Sequence, residues 1–354
     1  MLDAPSAGIQ FHTFLESEAA MSNQPSYSRI LVAVDFSSYT ESTVKHAVWL
    51  ARKCGASITL VNVLPNLRHL VESASYPGKI DFLYGDGSVF LREVERESAG
   101  KLRKLVAEMH ADDLQVDFKT IVGPPYAEVS RLVMKDGYDL VIAGTRGMSA
   151  WKQFFLGSTS HLLIRNCPSS IWIVRAEQAE PPKVVLAATD FSDVSRRAVL
   201  EGLKIAQHAG AEFHLVHVID STELPEATFF KNSWANSLRT KVEEAAALRL
   251  SEFFDSLGTD SKKVQTHLIN GAPWHDIGQI ANQVHADLVV IGTVGRSGIS
   301  GMLLGNTAER LLNTCTCSIL TVKPADFVSP VLPQFTSTDS IQDNTPPWFQ
   351  GPIT

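Results

Sequence analysis

The chain has 354 residues, 44% of them hydrophobic and 19% charged, a globular composition with room for two domains that each bury a core. A formal net charge of −7 without any Lys/Arg-rich run gives no electrostatic footprint for a nucleic acid or an anionic membrane as partner. No apolar stretch approaches the ~20 residues that span a bilayer, and the N-terminus lacks the basic start and apolar run of a secretory signal, so the cytoplasm is the expected location.

In chain order, residues 1–26 lack periodicity and are expected to be a disordered extension; Met21 opens MSNQPSYSRI, a candidate authentic start. Strands are predicted near 29–35, 57–64, 115–122, 139–144 and 170–175, with helices near 40–54, 89–110, 125–136 and 156–166. A Gly-rich stretch at 76–88 reads as a loop. EQAEPP breaks regular structure and places a boundary at 176–182. The pattern then recurs, with strands near 183–189, 212–219, 264–270, 287–292 and 317–323 and helices near 193–208, 233–257, 273–285 and 305–314. From Ala325 the chain is rich in Pro, Ser, Thr and Asn, as a disordered tail would be. The domains are therefore expected at 27–176 and 183–324, with a tail at 325–354.

The recurrence is a sequence repeat. Asp35-Phe36-Ser37 aligns with Asp190-Phe191-Ser192 at an offset of 155, and DLVIAGTRGMS at 139–149 with DLVVIGTVGRS at 287–297 at an offset of 148. Repeat one is thus seven residues longer in its middle. Runs such as Leu140-Val141-Ile142 are continuously apolar, as strands covered on both faces are. Alternating strands and helices of this kind predict an α/β fold of two tandem, doubly wound, parallel five-stranded sheets.

In such a sheet ligands lie beyond the carboxyl ends of the strands, where strand order reverses. After the first strand of each copy comes Asp35 or Asp190; after the fourth comes a glycine loop. In repeat one that loop is GTRGMSAWKQFFLGST, with Gly144, Gly147 and Gly157 followed by Ser158 and Thr159. Glycines let a main chain approach an oxygen-rich ligand, and a helix start beyond them favours phosphate. The Ser158 and Thr159 hydroxyls could bind phosphate or merely cap that helix. Arg146, Lys152 and Arg296 read as solvated loop cations rather than phosphate ligands.

The spacing G-x2-G-x9-G-[ST] after a strand, together with the early VAVDFS, resembles the ATP-binding class of the universal stress protein family. The resemblance covers 29–175 and 183–323 and points to a tandem-domain member. It implies a Rossmann-like sheet of the adenine nucleotide alpha hydrolase kind and a nucleotide, ATP, with Mg²⁺ left open. It implies contacts from Ala33, Val34 and Asp35, with Val63 meeting adenine through its main chain. Gly144 and Gly147 would line ribose and phosphates, and Gly157, Ser158 and Thr159 would hold the phosphates. The weaker set in repeat two is Asp190, Val218, Gly292, Gly295, Gly305, Asn306 and Thr307, because Asn306 stands where the family pattern has serine.

No GxxxxGK[ST], SGGxDS or HxGH signature and no evident general base accompany the loop. A nucleotide-dependent stress-response binding module is therefore expected over an enzyme. A slow ATP hydrolase, and an interaction protein with vestigial pockets or another small ligand, stay as alternatives. Cys54, Cys167, Cys315 and Cys317 sit in apolar patterns and are expected to be core or redox-silent; Cys315-Thr316-Cys317 has no second Cys/His pair to complete a metal site. His214 and His217 fall on opposite strand faces, and with His208 are read as surface or core residues. The apolar fifth strands, 171–174 and 318–322, are expected to pair with each other as an intramolecular pseudo-dimer, with a homodimer left open.

Overall fold

The computed structural model describes residues 27–66, 87–145, 157–175, 180–220, 233–257, 264–295 and 304–331, with only the backbone for 87–91 and 233–236. Repeat one runs β1 (Arg29–Ala33), α1 (Thr40–Cys54), β2 (Ser57–Leu64), α2 (Gly87–Glu108), β3 (Val116–Val122), α3 (Pro125–Asp136), β4 (Leu140–Gly144), α4 (Ser158–Asn166), β5 (Ser170–Val174). Repeat two runs β6 (Val184–Ala188), α5 (Asp193–Ala209), β7 (Glu212–Asp220), α6 (Ser233–Asp255), β8 (Val264–Gly271), α7 (Pro273–Gln283), β9 (Leu288–Gly292), α8 (Asn306–Thr314), β10 (Ser318–Val322).

Each repeat is a parallel five-stranded sheet, and the two join into one ten-stranded sheet ordered β3-β2-β1-β4-β5-β10-β9-β6-β7-β8. The apolar runs explain its two-sided burial. Along β1, Ile30 and Val32 face one core with α1, while Leu31 faces the other with α3 and α4. Helices α1, α2, α5 and α6 thus cover one face, and α3, α4, α7 and α8 the other. Helix ends follow local chemistry. α1 and α5 stop at Gly55 (φ 71°) and Gly210 (φ 66°), left-handed positions that cost a residue with a Cβ energy. α3 and α7 begin with proline at the first turn, where a missing N–H costs nothing.

The join is the expected pseudo-dimer. β5 and β10 are the sheet's antiparallel pair, with Leu320 opposite Trp172. At the offset of 148 these two residues are equivalents, so a pseudo-two-fold axis passes between them. Trp172 is fully buried and meets His46 and Trp49 edge-on at 5.5 and 6.4 Å. The pairing removes two apolar edges that would otherwise template association.

Basic side chains clasp the seam symmetrically. Arg175, just after β5, donates from Nε to the Cys317 carbonyl (3.0 Å) and from Nη2 to that of Cys315. Its counterpart Lys323, just after β10, donates to the Arg165 carbonyl (3.2 Å). Each cation thereby meets carbonyls at or near the end of the other repeat's last helix, where the helix dipole favours positive charge. Lys323 is 2% exposed and lies 3.9 Å from the Phe327 ring centre. Ser329 donates to the Asn166 carbonyl (2.7 Å). The stretch 325–331, read from composition as the start of a disordered tail, is thus tied to repeat one at Ser329. Composition could not show that, because the partners lie some 160 residues away.

Candidate functional site

The strand order reverses between β1 and β4, whose ends pair at Ala33 and Ala143, and again between β6 and β9. The described candidate residues lie around these two crevices, with the Val34 main chain already engaged elsewhere.

At the end of β1, Asp35 folds the chain back on itself: its Oδ1 accepts the Ser37 N–H at 3.0 Å. Asp190 does the same with the Ser192 N–H (3.0 Å) and also takes the Ser192 hydroxyl (2.6 Å). These are Asx turns, so part of each carboxylate's task is structural. The residue between is left-handed in both repeats, Phe36 at φ 59° and Phe191 at φ 66°, a costly region for a bulky side chain. Packing holds it there. Lys101 lies 5.6 Å from the Phe36 ring centre, and its equivalent Arg249 lies 5.3 Å from that of Phe191. Phe191 also meets His217 at 4.2 Å and Phe253 at 5.6 Å.

Val34 was a candidate contact, but its main chain is spoken for. Its N–H donates to the Val61 carbonyl (2.9 Å) and its carbonyl accepts from Asn62 Nδ2 (2.7 Å). Its side chain is 5% exposed. Asn62 is in turn held by the Ser98 hydroxyl at 2.8 Å. In repeat two His217 replaces Asn62, and its Nδ1 lies 2.8 Å from the Thr189 carbonyl. A carbonyl only accepts, so Nδ1 carries the proton. Sequence reasoning missed this geometry, which the two repeats share; the match of Asn62 to His217 at the offset of 155 was the available signal.

Val63 fares better. The Val61 carbonyl faces β1, and alternate residues of a strand face the same neighbour, so the Val63 N–H and C=O point to that side too. The β1–β2 register ends at Ala33 and Val61. The Val63 main chain therefore borders the crevice beyond the end of β1. Val218 is placed likewise in repeat two, two residues past Val216, whose carbonyl takes the Thr189 N–H.

On the opposite wall, Gly144 closes β4 against Tyr39: a Cβ there would come within 2.8 Å of the tyrosine Cβ. Gly292 faces Val194 in the same way at 2.9 Å. The loop then returns through matching bonds, Gly157 N–H to Thr145 C=O and Gly305 N–H to Thr293 C=O, both 2.7 Å. Gly157 and Gly305 hold the N-cap positions of α4 and α8. The capping residue therefore has no side chain, and Ser158 and Asn306 are the first helical residues, both exposed. Of the two roles open to the Ser158 hydroxyl, capping is therefore not the one it takes here, since no side-chain cap bond is made at either helix start. Thr159 and Thr307 follow, half-buried. Gly295 brings the two halves of site two together, since a Cβ on it would sit 2.7 Å from Asp190 Oδ2. Gly147, Arg146, Lys152 and Arg296 lie outside the described residues.

The histidines do not converge on a metal. His214 and His217 occupy opposite sheet faces, as their odd spacing requires, and His208 lies beside Cys54 at 3.8 Å. His214 stacks on His267, Nδ1 to Nε2 2.9 Å. Among the described residues no three His, Cys, Asp or Glu side chains could hold a metal ion together, and no helix is long and apolar enough to cross a membrane.

The pattern of the universal stress protein family matches this chain twice, over residues 26–175 and 182–323. The chain belongs to that family. Universal stress protein E of Escherichia coli is 25% identical over 329 residues, covering 86% of this chain and 96% of its own, and that of Photorhabdus laumondii is 23% identical over 321 residues, covering 86% and 98%. A single-repeat universal stress protein of Methanocaldococcus jannaschii is 31% identical over 146 residues, covering 40% of this chain and 82% of its own. The fold is shared with a solved putative universal stress protein of Pseudomonas aeruginosa, with a TM-score of 0.61 at 20% identity over 87% of this chain and 96% of that one. An Archaeoglobus fulgidus universal stress protein gives 0.57 at 18% identity over 85% and 99%. The alignments to the two stress protein E relatives thus take in both repeats of this chain and nearly the whole of each relative.

Proposed function

We propose that repeat one binds ATP or a related adenine nucleotide and acts as a binding module in a stress response. The observation that carries this reading is the glycine N-cap of α4 at the strand-order reversal. It leaves the first-turn N–H groups of the helix without a capping side chain, beside a main-chain wall that a phosphate can approach. Asp35 and the Val63 main chain border the same crevice from the β1 side, one suited to ribose hydroxyls and the other to the polar edge of adenine. Mg²⁺, if it accompanies the nucleotide, would be held mainly through the phosphates.

Repeat two ranks second. Its first helical residue is Asn306 in place of Ser158, a larger group without a hydroxyl. Calorimetric titration with ATP tests the ranking on Gly157→Val and Gly305→Val made singly, with circular dichroism to confirm folding. The first is expected to remove most binding and the second little, although a Cβ at Gly305 would come within 3.3 Å of the Thr293 carbonyl. The reverse pattern overturns the ranking, and an unliganded wild type at millimolar ATP removes the nucleotide from the account. Turnover with Mg²⁺ far above a slow background would make the protein an enzyme.

A further inference from the structure

The repeats differ chemically at the turn into their last strand. Repeat one reads Cys167-Pro168-Ser169 and repeat two Cys315-Thr316-Cys317. Cys315 ends α8 in extended geometry (φ −67°, ψ 136°), and in an extended chain residues i and i+2 project to the same side. Both sulfurs consequently enter the same apolar core, with the two residues 5% and 7% exposed. They lie 3.2 Å apart. In repeat one the equivalent atoms, Cys167 Sγ and Ser169 Oγ, are 3.4 Å apart. The backbone is therefore the same in both copies, and only repeat two fills it with two thiols.

We propose that Cys315 and Cys317 are a dithiol modification site that a small hydroperoxide oxidises to an intramolecular disulfide. A disulfide bond is about 2.05 Å long, so the sulfurs close by about 1 Å from where they stand. The pair is chemically polarised. Either sulfur could donate in this contact, and with Cys317 as donor its S–H brings the Cys315 thiol down, against burial. The same hydrogen bond, with burial, holds the Cys317 thiol well up. In repeat one, burial outweighs the Ser169 hydroxyl and the Cys167 thiol is pushed up. Cys315 is thus the thiolate nucleophile and Cys317 the resolving thiol.

The Cys315 thiolate attacks one peroxide oxygen, the O–O bond breaks, and the departing hydroxide or alkoxide takes a proton from solvent. Cys315 is then a sulfenic acid. The Cys317 sulfur attacks it, the S–O bond breaks, and the Cys317 proton leaves with the hydroxide as water. With hydrogen peroxide the sum is two thiols and one peroxide giving one disulfide and two waters. The residual exposure admits an oxidant the size of water more readily than a tripeptide disulfide. Arg175 of repeat one donates to the carbonyls of both cysteines, so the modified turn lies directly under the seam.

The test uses the reduced, folded full chain. After hydrogen peroxide treatment and quenching with maleimide in denaturant, the tryptic peptide that begins at Leu311 carries Cys315 and Cys317 and no other cysteine. It is expected to lose two hydrogens and take no maleimide at doses that leave Cys167 alkylatable. Cys317→Ser, which recreates the arrangement of repeat one, is expected to abolish that loss and leave Cys315 as a sulfenic acid trapped by dimedone. Its Cys315 should also alkylate more slowly at pH 7 in the native state. Losing the Cys317 S–H donor raises the Cys315 thiol and lowers its thiolate fraction at pH 7 by more than its intrinsic nucleophilicity rises. The proposal is overturned if the folded wild type keeps both thiols at a dose that closes the pair in the urea-unfolded chain. It is equally overturned if the link forms only between chains, or if Cys315 alkylates as fast in the variant as in the wild type.

Discussion

Lys323 offers a direct test of the seam, because its burial has a defined consequence for pH. The ammonium group sits on a residue 2% exposed, with the Arg165 carbonyl at 3.2 Å and the Phe327 ring at 3.9 Å, and burial brings its pKa down from 10.5 to about 8. Below pH 8 the lysine is charged in both folded and unfolded chains, and the cost of burying the charge is present in full. Between pH 8 and 10.5 the unfolded chain binds more protons, so stability rises with pH. Above 10.5 the amine is neutral in both states. The window of 2.5 units corresponds to ~3 kcal/mol in total, of which about 1.3 kcal/mol is recovered between pH 7 and pH 9. Lys323→Met keeps the packing stem and removes the titration. Urea unfolding of both proteins at pH 7, 8 and 9 isolates the residue, since groups that do not feel its charge titrate equally in the two and Cys167, which does, is held up by burial. The stability of the wild type relative to Lys323→Met is expected to rise by about 1.3 kcal/mol over that range. Parallel curves would refute the reasoning and mean that the ammonium is solvated.

Substitutions at two further positions probe the axis and the site. Trp172→Ala empties the centre of the seam and is expected to cost about 3–5 kcal/mol in urea unfolding. Trp172→Phe should cost under ~2 kcal/mol, since the indole N–H has no hydrogen-bond partner to lose among the described residues; equal losses would show that the N–H is bonded. Gly295→Ala must displace the Asp190 carboxylate, which a Cβ would approach to 2.7 Å, against its bonds to Ser192. About 1–2 kcal/mol of destabilisation is expected in the same assay, and no change would mean that the aspartate swings away freely.

Much of this was legible in the sequence because the signals were local. The doubled DFS and glycine loops marked both crevices, and continuous apolar runs such as Leu288-Val289-Val290-Ile291 marked strands covered on two sides. Helix starts were less legible. Helices expected near 156 and 305 have Gly157 and Gly305 as their N-caps, because the bond from each glycine N–H to Thr145 or Thr293 fixes where the helix begins. The main-chain bonds that engage Val34 come from Val61 and Asn62, a strand away.

By itself the sequence determined the repeat, the strand–helix alternation and the two places where strand order must reverse, since periodicity and glycine spacing are properties of neighbouring residues. Only the tertiary structure decided what residues far apart do to one another. It set Trp172 against Leu320 on the pseudo-two-fold axis. It also placed Lys323 under Phe327 beside α4, and Arg175 over the two cysteines that a linear reading had left silent. Burial, hydrogen bonding and proton affinity at those points depend on distances through space, which a one-dimensional pattern does not carry.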